Sequence, residues 1–186
     1  MNIQNNITNI LKELQENATK IDDNQAEQLI DKIVSANHIF LQGAGRSGAV
    51  VATFANRLLH LGLSVSLVGE ISSPHSKAGD LLIICSGSGE TDSLKSLAQK
   101  AVTNNVDIAL VTAKKESTIG HLAETVLVLP SKVKSETTQK TSEFSQAMGS
   151  SFVQLAFLTF EGLVLSLMTV LAQTNETMLP RHADFE

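Results

Sequence analysis

Apolar residues near the amino terminus recur at helical spacing. Ile7, Ile10, Leu11 and Leu14 form one set and Leu29, Ile30 and Ile33 a second, with a polar break at Asp22-Asp23-Asn24 between them. Residues three and four apart share one helix face, and Asp or Asn is a favoured amino-terminal cap, so two helices are predicted over 1–36. The pattern then changes to short apolar runs bounded by turn residues, which predict strands at His38–Gln42, Ser64–Val68, Asp80–Cys85, Val106–Thr112 and Thr125–Leu129. Between them, Ser47–Leu61 places Val50, Val51, Phe54, Leu58 and Leu61 on one stripe, and Thr91–Asn104 does the same with Leu94, Leu97 and Ala101.

Alternating strands and amphipathic helices, with consecutive apolar residues in DLLIIC and VDIALV, predict an α/β fold. A parallel sheet is buried on both faces, so helices must cover it from both sides as a three-layer α-β-α sandwich. The last helix, from about Met148 to Ala172, is apolar almost all round, and it is expected to bury against the sheet and a further surface such as a partner subunit. Gln154 before its most apolar stretch and Glu161 within it argue for a buried helix over a membrane span. The expected organisation is one domain over 1–186. It comprises amino-terminal helices (1–36), a sheet core (37–130), a polar connection (131–147), and a final helix with its tail (148–186).

Charge narrows the function. Fourteen Lys and Arg against nineteen Asp and Glu give a net charge of -5, the wrong sign for attraction to nucleic acid phosphates, and the absence of Trp and Tyr removes the usual base-stacking platforms. An anionic ligand remains possible where helix amino termini supply the positive potential. One cysteine, Cys85, forms no internal disulfide, and the first residues carry no signal-peptide pattern, so a cytoplasmic location is expected. The five histidines show no metal-ligand spacing.

Two glycine-rich turns, each between a strand and a helix, carry the candidate chemistry. Gly43-Ala44-Gly45-Arg46-Ser47-Gly48 satisfies the dinucleotide fingerprint, with Glu70 after the second strand where a ribose-binding acid would sit. The same glycines serve any phosphate at a helix start. The second turn, Ser86-Gly87-Ser88-Gly89-Glu90-Thr91, has no place in a dinucleotide site. Its three hydroxyls and its backbone N–H groups make a compact cradle for one phosphate monoester, although a Ser or Thr there can also simply cap the helix.

GAGRSG, FANRLLHLG, VGE, SP, GDLLIICSGSGET and the terminal RHADFE, in this order, resemble the sugar isomerase (SIS) domain family, and within it the 6-phospho-3-hexuloisomerases. The resemblance runs from about Ile39 to Glu186. It implies a flavodoxin-like, doubly wound five-stranded sheet, a homodimer or homotetramer, a phosphorylated sugar as ligand, and no cofactor. It also implies interconversion of 3-hexulose 6-phosphate and fructose 6-phosphate in the ribulose monophosphate route of formaldehyde fixation. The phosphate is expected between the two turns, at Ser47, Ser86, Gly87, Ser88, Gly89, Glu90 and Thr91, with Gly45 and Arg46 beside them.

The chain departs from the family at one position. Moving a carbonyl between adjacent sugar carbons passes through an enediol and needs a base, which the resembled isomerases carry as Glu in a segment like MGSLFEQ. Here the segment reads Met148-Gly149-Ser150-Ser151-Phe152-Val153-Gln154, with Val153 at the base position. Glu161 is two helical turns further on, about 12 Å away at 1.5 Å per residue. Glu70, Glu90 and Glu143 are the alternative acids. His182, in RHADFE, matches the family's histidine and is the remaining proton-transfer candidate, and its action on a neighbouring subunit's site is implied by the resemblance alone. Without a base the chain would be a phosphosugar-binding SIS protein. Arg46 has two readings, pairing with the phosphate or with a carboxylate of another subunit.

Overall fold

A computed structural model describes residues 2–131, 144 and 146–184. Five strands, β1 (Ile39–Gly43), β2 (Val65–Leu67), β3 (Leu81–Cys85), β4 (Asp107–Thr112) and β5 (Thr125–Val128), form one parallel sheet in the order β2-β1-β3-β4-β5. Each lies within a residue or two of the sequence expectation. The α/β sandwich is therefore as expected, and its strand order reverses direction between β1 and β3.

One face of the sheet carries α1 (Ile3–Ala18), α2 (Asp23–Ser35), α3 (Arg46–His60) and α5 (Ser150–Val170), and the other carries α4 (Asp92–Thr103) with the segment around Ile119. Asp22 caps α2 by accepting from the Asn24 N–H at 2.9 Å, which is the amino-terminal cap the polar break predicts. The rings of Phe54 and Phe160 stack with centroids 4.4 Å apart and pin α3 to α5. A four-residue helix, α6 (Asn175–Met178), and a 3-10 turn (Leu179–Arg181) follow where a plain tail was expected. They fold back because Arg181 donates to the His60 carbonyl at 3.0 Å, at the carboxyl end of α3.

The final helix starts later than predicted, behind a short turn in which Met148 (φ 56°) and Gly149 (φ 70°) are both left-handed. By length and composition α5 could cross a membrane, yet it packs on α3, α1 and α2 and buries eight residues, among them Phe152, Leu155, Phe160 and Leu167. Its outer side leaves Phe157, Leu158, Leu165 and Val170 exposed, and on α1 Ile3, Ile7 and Leu11 are exposed as well. Of the first predicted stripe only Leu14 is buried, because α1 rests on α5 along one edge alone.

Candidate active site

The two turns meet. Gly43 pairs in register with Cys85, so both chains leave the sheet side by side at the carboxyl ends of β1 and β3, where the strand order reverses. Doubly wound sheets open a crevice at this point because the crossovers on either side diverge to opposite faces. A cavity of about 400 Å³ lies there, walled by the first turn, the second turn and the start of α5.

The first turn is shaped by glycine. A Cβ at Gly43 would meet Gly48 N at 2.8 Å and one at Gly48 would meet Gly43 O at 2.7 Å, so α3 starts tight against the strand it follows. Gly45 (φ 59°, ψ −127°) holds a conformation that side chains disfavour. Ser47 lies on the wall beside Cys85. Burial pushes the Cys85 thiol up to about 12, with the hydrogen bond from Ser47 pulling the other way. A thiol held neutral is a small apolar wall group, not a nucleophile.

The second turn sets its hydroxyls for donation. Ser86 Oγ accepts from Gly89 N–H at 3.2 Å and Ser88 Oγ accepts from Glu90 N–H at 3.2 Å, so each oxygen is located by an incoming hydrogen while its own remains to be given. Thr91 is the amino-terminal cap of α4, yet its side chain makes no capping bond. The simple capping reading therefore fails at this residue. Among the described residues, the N–H groups of Gly87, Ser88 and Thr91 donate to no protein acceptor. Three hydroxyls, open amides and a helix amino terminus at one wall are groups that can donate to an anion.

The short turn before α5, through Met148 and Gly149, and the first turn of α5, through Phe152 and Val153, supply the third wall. Arg46 donates to Ser150 Oγ at 2.7 Å, which ties the first turn to this wall. Val153 is half-buried and faces both this cavity and an apolar one of about 460 Å³ lined by Leu11, Leu14, Phe157 and Leu158. No carboxylate or imidazole lines the active-site cavity among the described residues.

The remaining sequence candidates lie elsewhere. Glu70 turns back on its own loop, where Oε2 accepts from Leu67 N–H at 3.2 Å, so it is not brought to the cavity as a base or a ribose acid. Glu90 belongs to the second turn, but its carboxylate is engaged by Thr118 behind that turn. Glu143 lies outside the described residues. The His182 ring stacks on His60 at 5.2 Å, at the far end of α3 from Ser47. Thirteen residues of helix separate Ser47 from His60, about 20 Å, so His182 does not reach its own subunit's cavity in this arrangement. Sequence reasoning missed the wall formed by Met148 and Phe152, and the support from Thr118. The MGS segment was the available signal for the wall, while Thr118 carries none. Among the described residues, no three His, Cys, Asp or Glu converge to hold a metal ion.

Comparison with known proteins follows the same lines. The SIS domain pattern matches residues 32–158, which hold both turns and the start of α5. The chain belongs to the SIS domain family. A Bacillus subtilis protein named 3-hexulose-6-phosphate isomerase is 40% identical to this SIS protein over 180 residues, 97% of each chain. One from Mycobacterium gastri with the same name is 35% identical over 184 residues, covering 99% of this chain and 92% of its own. The crystal structure of a hypothetical protein from Methanococcus jannaschii, described as inferring a 3-hexulose-6-phosphate isomerase function, superposes with a TM-score of 0.81 at 30% identity and 97% coverage of both chains.

Proposed function

We propose that this SIS protein is a cofactor-free sugar-phosphate isomerase that interconverts 3-hexulose 6-phosphate and fructose 6-phosphate, the step used in the ribulose monophosphate route. The observation that carries the reading is the second turn, whose located hydroxyls and open amides face a cavity at the strand-order reversal. The 40% identity to a named isomerase over nearly the whole chain supports the choice of sugar. The phosphate lies between Ser47, Ser86, Ser88 and Thr91, and the carbon chain runs toward Phe152 and Val153.

In the forward direction the C2–H bond of the 3-hexulose breaks and a C2–C3 enediol forms. A proton then returns to C3 while the O2 hydrogen moves to O3, so the carbonyl ends on C2. Donors around the cavity stabilise the enediolate oxygen. With Val153 in the base position, proton transfer falls to a group from outside the described cavity wall, and we assign it to His182 of a second copy. The exposed apolar residues Leu11, Phe157 and Leu158 beside Val153 give such a copy its docking surface, which supports a homo-oligomer. The reading places the protein in the cytoplasm with its phosphorylated sugar. Conversion of 3-hexulose 6-phosphate to fructose 6-phosphate by the purified chain tests it, and no conversion above the uncatalysed rate contradicts it.

A further inference from the structure

Glu90 sits in the phosphate turn, yet its carboxylate faces away from the cavity. Its Oε1 accepts from the Thr118 N–H at 2.6 Å and its Oε2 from the Thr118 hydroxyl at 2.8 Å. Lys95, itself paired with Asp92 at 2.9 Å, stands 3.7 Å from the same Oε2. These partners, the Thr118 N–H foremost and its hydroxyl next, hold the carboxyl below its usual range. Other contacts bind the same two segments. Ile119 N–H donates to the Gly89 carbonyl at 3.2 Å and Ala113 N–H to the Gly87 carbonyl at 3.1 Å. Gly89 is left-handed (φ +66°), and a Cβ there would strike the buried side chain of Ser117. The 113–119 segment thus supports the turn from behind.

We infer that Glu90 is a positioning residue for the phosphate turn, acting through Thr118 and touching neither the sugar nor its phosphate. The inference rests on the phosphate reading above. The Glu90 N–H donates to Ser88 Oγ, so fixing Glu90 also fixes the Ser88 hydroxyl, and Thr91 follows directly in the chain. A two-oxygen grip on one residue defines both position and rotation, as a single bond does not. Turning the carboxylate toward Thr118 and Lys95 also keeps a negative charge from standing beside the phosphate.

The test is calorimetric binding of inorganic phosphate and of fructose 6-phosphate to the parent chain, Glu90→Ala, Glu90→Gln, Thr118→Val and the Glu90→Ala/Thr118→Val pair. Glu90→Ala is expected to weaken both ligands by the same factor, about tenfold. Glu90→Gln, which keeps the shape and one acceptor, should fall between. Thr118→Val, which retains the backbone N–H, should weaken both ligands less, and the pair should be no weaker than Glu90→Ala alone. Should Glu90→Ala fail to fold, Glu90→Gln and Thr118→Val decide the same comparison. Lost fructose 6-phosphate affinity with unchanged phosphate affinity would mean a sugar contact and overturn the inference. Lost turnover with both affinities intact would mean a catalytic base and overturn it equally. A parent chain that binds neither ligand would overturn the phosphate reading together with this one. A parent that binds both, with variants that bind as well, would overturn this inference alone.

Discussion

Thr91→Val separates a ligand from a cap. A threonine that caps its helix contributes about 1 kcal/mol to stability through a bond to the first-turn N–H groups, and its loss lowers the melting temperature. Thr91 makes no such bond, so the variant should melt with the parent. A hydrogen bond to a charged group contributes about 1.5–3 kcal/mol, so losing one to the phosphate should weaken fructose 6-phosphate by about 10- to 150-fold. Valine keeps the branched shape at the start of α4, which confines the change to the hydroxyl. Titration calorimetry gives the affinity and a thermal melt on the same samples gives the stability. Unchanged affinity with a destabilisation of about 1 kcal/mol would refute the reasoning, since it would show the hydroxyl serving the helix.

Val153→Glu should leave fructose 6-phosphate affinity unchanged and kcat within about tenfold of the parent, because His182 of a second copy already supplies the proton transfer. A gain of about a hundredfold or more would show that the parent lacks an effective base and would contradict the assignment to His182. Light scattering at micromolar concentration should find an oligomer, and mixing inactive His182→Ala and Ser88→Ala chains should regenerate activity if His182 serves a neighbour's cavity. A monomer, or silent mixtures, would remove the assignment to a second copy. The Cys85 thiol, raised to about 12 against 9.0 for a free group, favours folding while neutral. Stability should therefore fall as pH rises from about 9 toward 12, and Cys85→Ala should flatten that slope, a difference read from urea melts across this range.

Much of the fold was legible because parallel strands buried on both faces must be continuously apolar, as Leu81–Cys85 is, and because the helix stripes face one sheet. Only part of the site was. The glycines of both turns announced an anion, since a tight turn into a helix has few other residue solutions. The direction in which Glu90 points was hidden, because Thr118 is 28 residues away and nothing local marks it as the partner. The bond from Arg46 to Ser150 was hidden for the same reason, since 104 residues of chain separate the two. His182 could be matched to a motif but not located, since its place at the far end of α3 depends on Arg181 folding the tail back. Exposed residues on α1 followed a helical stripe that predicts burial, and the stripe is uncovered where a single copy offers no second surface.

The central claim is an enediol spanning C2 and C3 of a bound hexulose phosphate. Incubating the protein with fructose 6-phosphate in heavy water and following the sugar by proton NMR tests it at the carbon concerned. The account predicts loss of the C3 proton signal as deuterium enters, with C1 left protonated, and Ser88→Ala slowing the exchange through weaker binding. Exchange confined to C1, the mark of an aldose–ketose enediol one carbon away, or no exchange at either carbon, would contradict it.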